Sequence, residues 1–199
     1  MEMTRVCRFG GLLIGALLLA GCKTMPTNGS AAPLLQGYTC CNLHAEGDWI
    51  SDSNYTTLPM IPAGTPIRVL DYGRNRAQVD IDGKPYRLGH DYGRDQESLE
   101  QWVAKIVISN DPKPRIAKYP AKIRDAVRAG QLVTGMSKEQ VITAVGYPLT
   151  SENSSLDAPT WRMWVSSFGE YQLNWDAKGR LKEIVTNDAG TRNLIEYRR

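Results

Sequence analysis

The sequence has few of the residues that acid–base or nucleophilic chemistry requires. It contains two histidines and four cysteines in 199 residues. It has no Gly-x-Ser-x-Gly elbow, no His-Glu-x-x-His pair and no phosphate-binding glycine loop. Its 24 basic residues nearly balance its 21 acidic ones and form no basic tract, which excludes a nucleic-acid partner. These absences favour a protein that is not an enzyme and has no cofactor, the alternative being a hydrolase with an unrecognised site.

The first residues have the composition of a secretory signal. Arg5 and Arg8 precede an apolar run over residues 10–20, and Leu19-Ala20-Gly21-Cys22 ends that run. A membrane-spanning helix needs about 20 apolar residues, so this run is too short to cross a bilayer. A basic start, a short apolar run and a small-residue end predict a signal peptide over residues 1–21.

Leu19-Ala20-Gly21-Cys22 resembles the lipobox of bacterial lipoproteins. That resemblance implies cleavage before Cys22 and acyl chains on its sulfur and new amino group, which together make a lasting anchor. Lys23 stands where an Asp favours inner-membrane retention in enterobacterial lipoproteins. We therefore expect a lipid-anchored protein on the periplasmic face of the outer membrane. The alternative is an ordinary signal peptide with a chance cysteine.

Cys40 and Cys41 are the cysteines that remain once Cys7 and Cys22 are assigned to the signal and the lipid. Neighbouring cysteines are poorly placed for the usual disulfide geometry, although periplasmic cysteines are commonly oxidised. The alternatives are a disulfide between neighbours, bonds to another chain, or a buried pair of thiols, and the sequence favours a buried structural pair without fixing its redox state. A metal site with His44 is disfavoured because zinc usually takes four spaced ligands. His44 and His90 are expected to be structural.

The composition predicts an α+β chain of two parts. Residues 22–36 are rich in Pro, Gly, Ser and Ala and predict a flexible tether. Residues 37–110 predict a small β-rich unit, residues 111–119 a linker, and residues 120–199 a second unit.

In the first unit, apolar residues alternate with polar ones over 77–81, and Asp82-Gly83 predicts a hairpin turn. Asp95 is the expected cap of a helix beginning at Gln96. The stretch Leu-Pro-Met-Ile-Pro-Ala-Gly-Thr-Pro-Ile-Arg-Val-Leu, residues 58–70, resembles the opening of bacterial SH3-like barrels.

The second unit is predicted to contain two helices and an antiparallel meander. Pro120 suits the start of the first helix, and Ser137 with Gln140 predicts a capping box at the start of the second. Strands are expected over 161–165, 171–175 and 180–186, and a short last strand over 194–197. Gly146 is expected to end the second helix.

This order of elements, with Gly135-Met136-Ser137-x-x-Gln140-Val141 and Val145-Gly146-x-Pro148, resembles the SmpA/OmlA (BamE-like) lipoprotein family over about residues 120–187. The resemblance implies a non-catalytic module on the periplasmic face of the outer membrane. Its partners would be envelope proteins, including outer-membrane assembly components. Residues 37–110 are an addition to that pattern.

Aromatic residues are dense in the predicted strands of the second unit, at Trp161, Trp164, Tyr171 and Trp175. Trp161 and Trp164 are three positions apart, so one regular strand would point them to opposite faces. Exposed aromatics often anchor partners. We therefore take these four residues as candidates for a partner-binding surface, with at least one tryptophan exposed.

The sequence also allows two other functions. SH3-like units in envelope proteins often bind peptidoglycan, and a groove of aromatic and polar residues within 37–110 would favour that function. A β-lactamase-inhibitor-like protein is the other alternative, and residues 150–160, a polar loop, would be its probe.

Overall fold

The computed structural model describes residues 32–198 and shows the α+β architecture expected from the sequence. The N-terminal part contains strands β1 (Leu35–Thr39), β2 (Leu43–His44), β3 (Trp49–Ser51), β4 (Met60–Ile61), β5 (Pro66–Tyr72), β6 (Arg76–Ile81), β7 (Lys84–Gly89) and β8 (Val107–Ile108), with helix α1 (Leu99–Ile106). The C-terminal part contains helices α2 (Lys113–Ala117), α3 (Ala121–Arg128), α4 (Lys138–Val145) and α5 (Ala189–Ile195), with strands β9 (Thr160–Ser166), β10 (Gly169–Trp175) and β11 (Leu181–Val185).

Six strands of the N-terminal part form one curved, half-barrel sheet in the order β3-β7-β6-β5-β1-β8, which fits an SH3-like unit. Every pair of neighbouring strands in this sheet is antiparallel except the pair β3 and β7, which is parallel. Ala77, Val79 and Ile81 face the core, as their alternation predicts. Asp82 and Gly83 both have positive φ, of 52° and 79°, so the predicted hairpin is confirmed.

Helix α1 closes this sheet and begins later than the sequence analysis predicted. Its N-cap is Ser98, whose Oγ accepts from the Gln101 N–H at 3.2 Å while Gln101 Oε1 accepts from the Ser98 N–H at 2.8 Å. The predicted cap, Asp95, is wrong because this reciprocal capping box fixes the start at Leu99. Leu99, Trp102, Val103 and Ile106 form the buried stripe of this helix.

The C-terminal part is a three-stranded antiparallel sheet, β11-β10-β9, with α3 and α4. Ser137 and Gln140 form the predicted capping box, with distances of 3.2 and 2.8 Å. Gly146 ends α4 with φ of 87°, also as predicted. The last strand predicted for 194–197 is reduced to an isolated bridge between Glu196 and Leu132. Asp188 caps helix α5, which includes Leu194 and Ile195 and buries Thr191 and Ile195 at helical spacing.

Residues 111–119, predicted to be a linker, contain the short helix α2. Its Ile116 is buried in the C-terminal core. The tether predicted for residues 22–36 overlaps a strand at its end, because β1 begins at Leu35 and pairs with β5. Contacts group the described residues into one compact unit.

Two buried asparagines join the N-terminal sheet to the C-terminal helices. Asn42 Nδ2 donates to the carbonyls of Val127 and Ala144 at 2.7 and 2.9 Å. Asn54 Nδ2 donates to the carbonyl of Val145 at 2.9 Å, and Asn54 Oδ1 accepts from the His44 N–H at 2.8 Å. These bonds satisfy backbone groups that would otherwise be buried without partners.

Gly146 is required at this junction by both its conformation and its surroundings. A Cβ there would lie 2.4 Å from Asn54 Nδ2, in addition to its positive φ. The glycine that ends α4 therefore also lets the N-terminal part approach the helix closely.

Among residues 32–198, none of the helices is both long and apolar enough to span a membrane.

Candidate binding sites

The residues predicted to carry the lipid signal, 1–21 and Cys22, lie outside the described residues, as does the tether up to residue 31. The remaining predicted site residues are all described. The aromatic residues of the C-terminal part, the cysteine pair and the two histidines are considered in turn, together with an exposed groove and a cavity beside His44.

Three of the four aromatic residues proposed for partner binding are in the core. Trp161 and Tyr171 are at most 1% exposed and Trp175 is 8% exposed. The rings of Trp161 and Trp175 meet edge to face at 4.6 Å between centroids. A partner cannot contact these three side chains in the folded protein, and their physical role is core packing.

The loop over residues 150–160 helps to close this cluster. Trp161 Nε1 donates to the Leu156 carbonyl at 3.2 Å. Lys138 Nζ donates to the Leu156 carbonyl and lies 5.5 and 5.4 Å from the rings of Trp161 and Trp175. These bonds tie the backbone of the loop to the core at Leu156, while the Leu156 side chain remains 41% exposed.

Trp164 is on the opposite face of β9, as the three-residue offset from Trp161 predicted. It is half-buried, and its Nε1 donates to Glu152 Oε2 at 2.8 Å. Arg162 lies 5.6 Å from its ring and forms an ion pair with Glu170 at 2.7 Å. The Arg162 guanidinium lowers the pKa of Glu170. Of the four predicted aromatic residues, Trp164 is therefore the one that is only half-buried. Its ring contacts the polar side chains of Glu152 and Arg162.

A larger accessible feature lies at the turn between β9 and β10. It is an open groove of about 930 Å³, which we call the Phe168 groove. Phe168 is 98% exposed and Leu194 is 46% exposed. The groove runs between the β9–β10 turn, the end of β11 and the start of α5, and is lined by Val165, Phe168, Glu170, Val185, Thr186 and Leu194, among others.

Cys40 and Cys41 are joined by a disulfide in the structure. Cys40 is 6% exposed and Cys41 is fully buried. The pair is therefore a buried element of the N-terminal core, as expected, and of the forms that the sequence left open the structure has the disulfide.

His90 is structural, since neighbouring acceptors surround both of its ring nitrogens. Nδ1 lies 2.9 Å from Asp52 Oδ2 and Nε2 lies 3.1 Å from the Glu97 carbonyl. The ring stacks on Trp102 with a 5.2 Å centroid separation. Asp52 also accepts from the backbone N–H groups of Tyr92 and Gly93. This buried pair ties the ends of β3 and β7 to the loop before α1.

His44 differs from His90 because one of its ring nitrogens has no partner among the described residues. Nδ1 lies 2.8 Å from the Leu58 carbonyl, while Nε2 is buried without a hydrogen bond. Burial lowers the pKa of His44, and the bond to Leu58 opposes that shift only in part. The imidazole is therefore neutral at neutral pH, with its proton on Nδ1 and a lone pair on Nε2.

His44 lines a cavity of about 210 Å³, which we call the His44 cavity. Three aromatic residues, Trp49, Tyr55 and Tyr92, contribute to its wall. A hydrogen bond between Tyr55 and Tyr92 is the main cause of a raised pKa for Tyr92. The remaining lining residues are Leu58 and the polar residues Glu46, Ser51, Ser53, Asp91 and Ser167.

The sequence analysis did not single out Phe168 or the aromatic residues of the His44 cavity. A turn signal around Phe168, Ser166-Ser167 before it and Gly169 after it, could have indicated an exposed aromatic. Tyr92 lies in Asp91-Tyr92-Gly93-Arg94, which repeats the residues Asp71-Tyr72-Gly73-Arg74, and such a turn sequence does not by itself indicate a site. No local signal connects Trp49 and Tyr55 with Tyr92, because the cavity is assembled by tertiary contacts.

No family model, curated protein or solved structure matches this chain.

Proposed function

We propose that this protein is a non-enzymatic outer-membrane lipoprotein, anchored by lipid at Cys22 on the periplasmic face. It acts as a protein–protein interaction module in outer-membrane assembly or envelope integrity. The observation that carries the proposal is the Phe168 groove, because a phenylalanine that is 98% exposed beside an open groove has no role in packing its own core. Aromatic side chains of this kind are common anchors at protein interfaces.

The partner that fits the groove is an envelope protein with an exposed apolar segment. Phe168 and Leu194 offer apolar surface, while Glu170 and Asp188 place polar groups among the lining residues. An apolar centre with a polar rim is the usual arrangement of a protein interface. Fully burying one phenylalanine contributes about 1.5–3 kcal/mol, so this side chain alone can dominate a modest interaction.

The lipid anchor would keep this surface close to the membrane. Leu35, where β1 begins, lies thirteen positions after Cys22. At roughly 3.3–3.6 Å per residue, the chain between them spans at most about 45 Å. Partners would therefore be proteins in or near the same membrane.

The anchor can be tested by feeding cells labelled palmitate and comparing the wild type with Cys22→Ala. We expect label in the wild type and none in the variant, which should also leave the membrane fraction. Equal membrane retention of Cys22→Ala would contradict the anchor without affecting the groove.

The groove can be tested by co-purification of solubilised outer-membrane proteins with wild type, Phe168→Asp and Leu70→Asp. Leu70 is the matched control because it is 46% exposed and lies on β5 in the N-terminal part. We expect an outer-membrane protein to be retained by wild type and Leu70→Asp and to fall at least tenfold with Phe168→Asp. Equal recovery with both variants would contradict the proposal. Folding is not at issue, because exposed substitutions usually change stability by less than about 0.5 kcal/mol.

A second candidate function is peptidoglycan binding, and the His44 cavity is the observation that favours it. A groove of aromatic and polar residues within 37–110 is what this alternative requires, and all the lining residues of the cavity except Ser167 come from that region. Purified sacculi should then retain the wild type and release Tyr92→Ala, while Phe168→Asp remains bound.

A further inference from the structure

We propose that the disulfide between Cys40 and Cys41 is a redox-sensitive lock on the junction between the N-terminal sheet and the C-terminal helices. In the oxidised protein the bond holds the following residue, Asn42, where it joins the two parts. Reduction releases Asn42 while each part stays folded. The inference goes beyond the proposed function and depends on neither the lipid anchor nor the Phe168 groove.

The cysteine pair lies where the chain crosses from the sheet to the helices. Cys40 directly follows β1, and its N–H donates to the Ile106 carbonyl at the end of α1 at 2.8 Å. Asn42 directly follows Cys41, and its N–H donates to the Thr143 carbonyl in α4 at 3.0 Å. A change in the backbone at the two cysteines therefore moves Asn42 relative to the sheet.

Asn42 forms more bonds at the junction than those to α3 and α4. Its Oδ1 accepts from the Ala63 N–H at 2.9 Å, and its carbonyl accepts from Asn54 Nδ2 at 3.0 Å. The residue is 2% exposed, so water does not replace a bond that is lost. Hydrogen bonds weaken steeply when their angle falls below about 120°. A rotation of the backbone before Asn42 therefore weakens several bonds together.

A disulfide between neighbouring cysteines closes a small ring that contains the peptide unit between them. Each residue has only two soft backbone dihedrals, φ and ψ. The ring restricts ψ of Cys40 and φ of Cys41, which set the direction in which the chain enters Asn42. Reduction replaces the S–S bond with two S–H groups and restores the freedom of these dihedrals. The redox state of the pair thus acts on the backbone that positions Asn42.

Ordinary stabilisation by crosslinking is a weak explanation for this bond. In the chain-entropy account, a disulfide stabilises a protein by restricting the unfolded chain, and the gain grows with the length of the closed loop. The loop closed here consists of the two cysteines alone. The bond therefore restricts little of the unfolded chain, and its main effect is on the backbone of the folded protein.

The reductant that opens the lock is a dithiol. One of its thiolates attacks the Cys40 sulfur, which gives a mixed disulfide and releases the Cys41 thiolate. The second thiol of the reductant then displaces Cys40, so that two electrons and two protons pass from the dithiol to the pair. Cys40 is 6% exposed and Cys41 is fully buried, so attack reaches Cys40 more readily. Limited access slows exchange and makes each redox state long-lived.

The experiment compares amide hydrogen exchange in the oxidised chain, the chain reduced with dithiothreitol and the double variant Cys40→Ala/Cys41→Ala, each at full length in detergent. The double variant lacks the bond without needing a reductant. The reporters are the N–H groups of Asn42 and Ala63, since both donate within the junction. We expect both to exchange roughly tenfold faster or more in the reduced chain and in the double variant, as local opening of the junction predicts.

Control amides lie in each part, away from the junction. The His90 N–H donates to the Asn75 carbonyl at 3.0 Å, and the Leu181 N–H donates to the Met136 carbonyl at 2.7 Å. Their exchange should change by less than about twofold, because local opening leaves distant bonds intact. Val69→Ala is the matched control variant, since it removes fully buried volume from the same core and retains the disulfide. It should not speed exchange at Asn42 and Ala63 relative to the control amides.

Equal exchange of the Asn42 and Ala63 N–H groups in the oxidised and reduced chains would overturn the inference. So would equal acceleration at the control amides, which would show general loss of stability, or a double variant that behaves as the oxidised chain does. Mass spectrometry after alkylation measures the redox state of each sample. Two free thiols after incubation with oxidised glutathione would also overturn the inference. None of these outcomes bears on palmitate labelling or on co-purification through Phe168, which test the proposed function.

Discussion

The two parts of this molecule use their aromatic residues in opposite ways. In the C-terminal part, Trp161, Tyr171 and Trp175 point into the core, and the exposed aromatic is Phe168 in a turn. In the N-terminal part, Trp49, Tyr55 and Tyr92 surround a cavity. Aromatic density along the sequence identified the first group, yet its members stabilise the fold. The accessible aromatic residues are isolated in the sequence and converge only in the folded chain.

The two histidines show the same contrast within the N-terminal part. His90 has a hydrogen-bond partner at each ring nitrogen, whereas His44 has a partner at only one. Both are buried to a similar degree. Burial alone therefore does not show whether a histidine is fully hydrogen-bonded, and an account of each donor and acceptor does.

The largest loss of stability is expected for Trp161, one of the aromatic residues buried in the C-terminal core. Replacing it with alanine should destabilise the fold by about 3–5 kcal/mol, the usual cost of removing a large buried aromatic. Urea denaturation followed by circular dichroism would measure this change. Trp164→Ala is the control, with an expected loss of less than about 1.5 kcal/mol because its ring is only half-buried. Equal losses for the two variants would contradict the assignment of Trp161 to the core.

An effect of about 2–4 kcal/mol is expected for Asn54→Ala. The variant leaves the His44 N–H and the carbonyls of Asn42 and Val145 without their partners, and each buried unpaired group costs about 1–3 kcal/mol before relaxation. Because Asn54 joins the two parts, tryptophan fluorescence and far-ultraviolet dichroism should also stop reporting the same transition. If the two signals still reported one transition, at the wild-type midpoint, the bonds of Asn54 would not couple the N-terminal and C-terminal parts.

A smaller and matched pair of effects is expected at the two capping boxes. Ser98 in α1 and Ser137 in α4 form the same bonds, at 3.2 and 2.8 Å. Each serine-to-alanine change should cost about 1 kcal/mol, measured by urea denaturation. A cost confined to one helix would mean that the two parts do not unfold as one cooperative unit.

The smallest effect concerns the pH dependence of stability. Burial lowers the folded pKa of His44 below its ordinary value of 6.5, so the unfolded chain binds this proton more readily. Its contribution to stability is then complete above about pH 6.5 and is lost as the pH falls through that value toward the lower folded pKa. Glu46 and Asp91 are the carboxylates that line the same cavity.

His44→Asn removes this titration. The urea midpoint of the wild type should therefore decrease more between pH 7.5 and 5 than that of His44→Asn. Identical slopes for the two proteins would contradict a lowered pKa for His44. The carboxylates whose pKa values are lowered, Asp48, Glu170, Asp176 and Asp188, affect stability mainly at more acidic pH.

The sequence predicted the features that depend on neighbouring residues. The hairpin at Asp82-Gly83, the capping box at Ser137 and the end of α4 at Gly146 follow from local rules, and all are present. The opposite orientation of Trp161 and Trp164 followed from strand alternation. Ser98 and Gln101 also have the spacing of a capping box, a local signal that the prediction of Asp95 as the cap did not use.

The features that the sequence did not predict depend on distant contacts. Asn42 bonds to residues 85 and 102 positions away, and Asn54 bonds to a residue 91 positions away. Polar residues in loops give no sign of such distant partners. The His44 cavity brings residue 44 near residues 91, 92 and 167 for the same reason. The strand predicted at 194–197 did not form because the helix capped by Asp188 continues through Leu194 and Ile195, a signal that the apolar pattern alone did not contain.

The most direct test of the proposed function is photo-crosslinking in intact cells from residue 168, with residues 70 and 164 compared in parallel. A photoreactive phenylalanine analogue at 168 replaces a side chain that is almost entirely exposed, so the fold should be unaffected. The proposal predicts a strong adduct with an outer-membrane protein from position 168, a weaker one from 164 and none from 70. The same adduct at equal yield from position 70, or none from position 168, would contradict it.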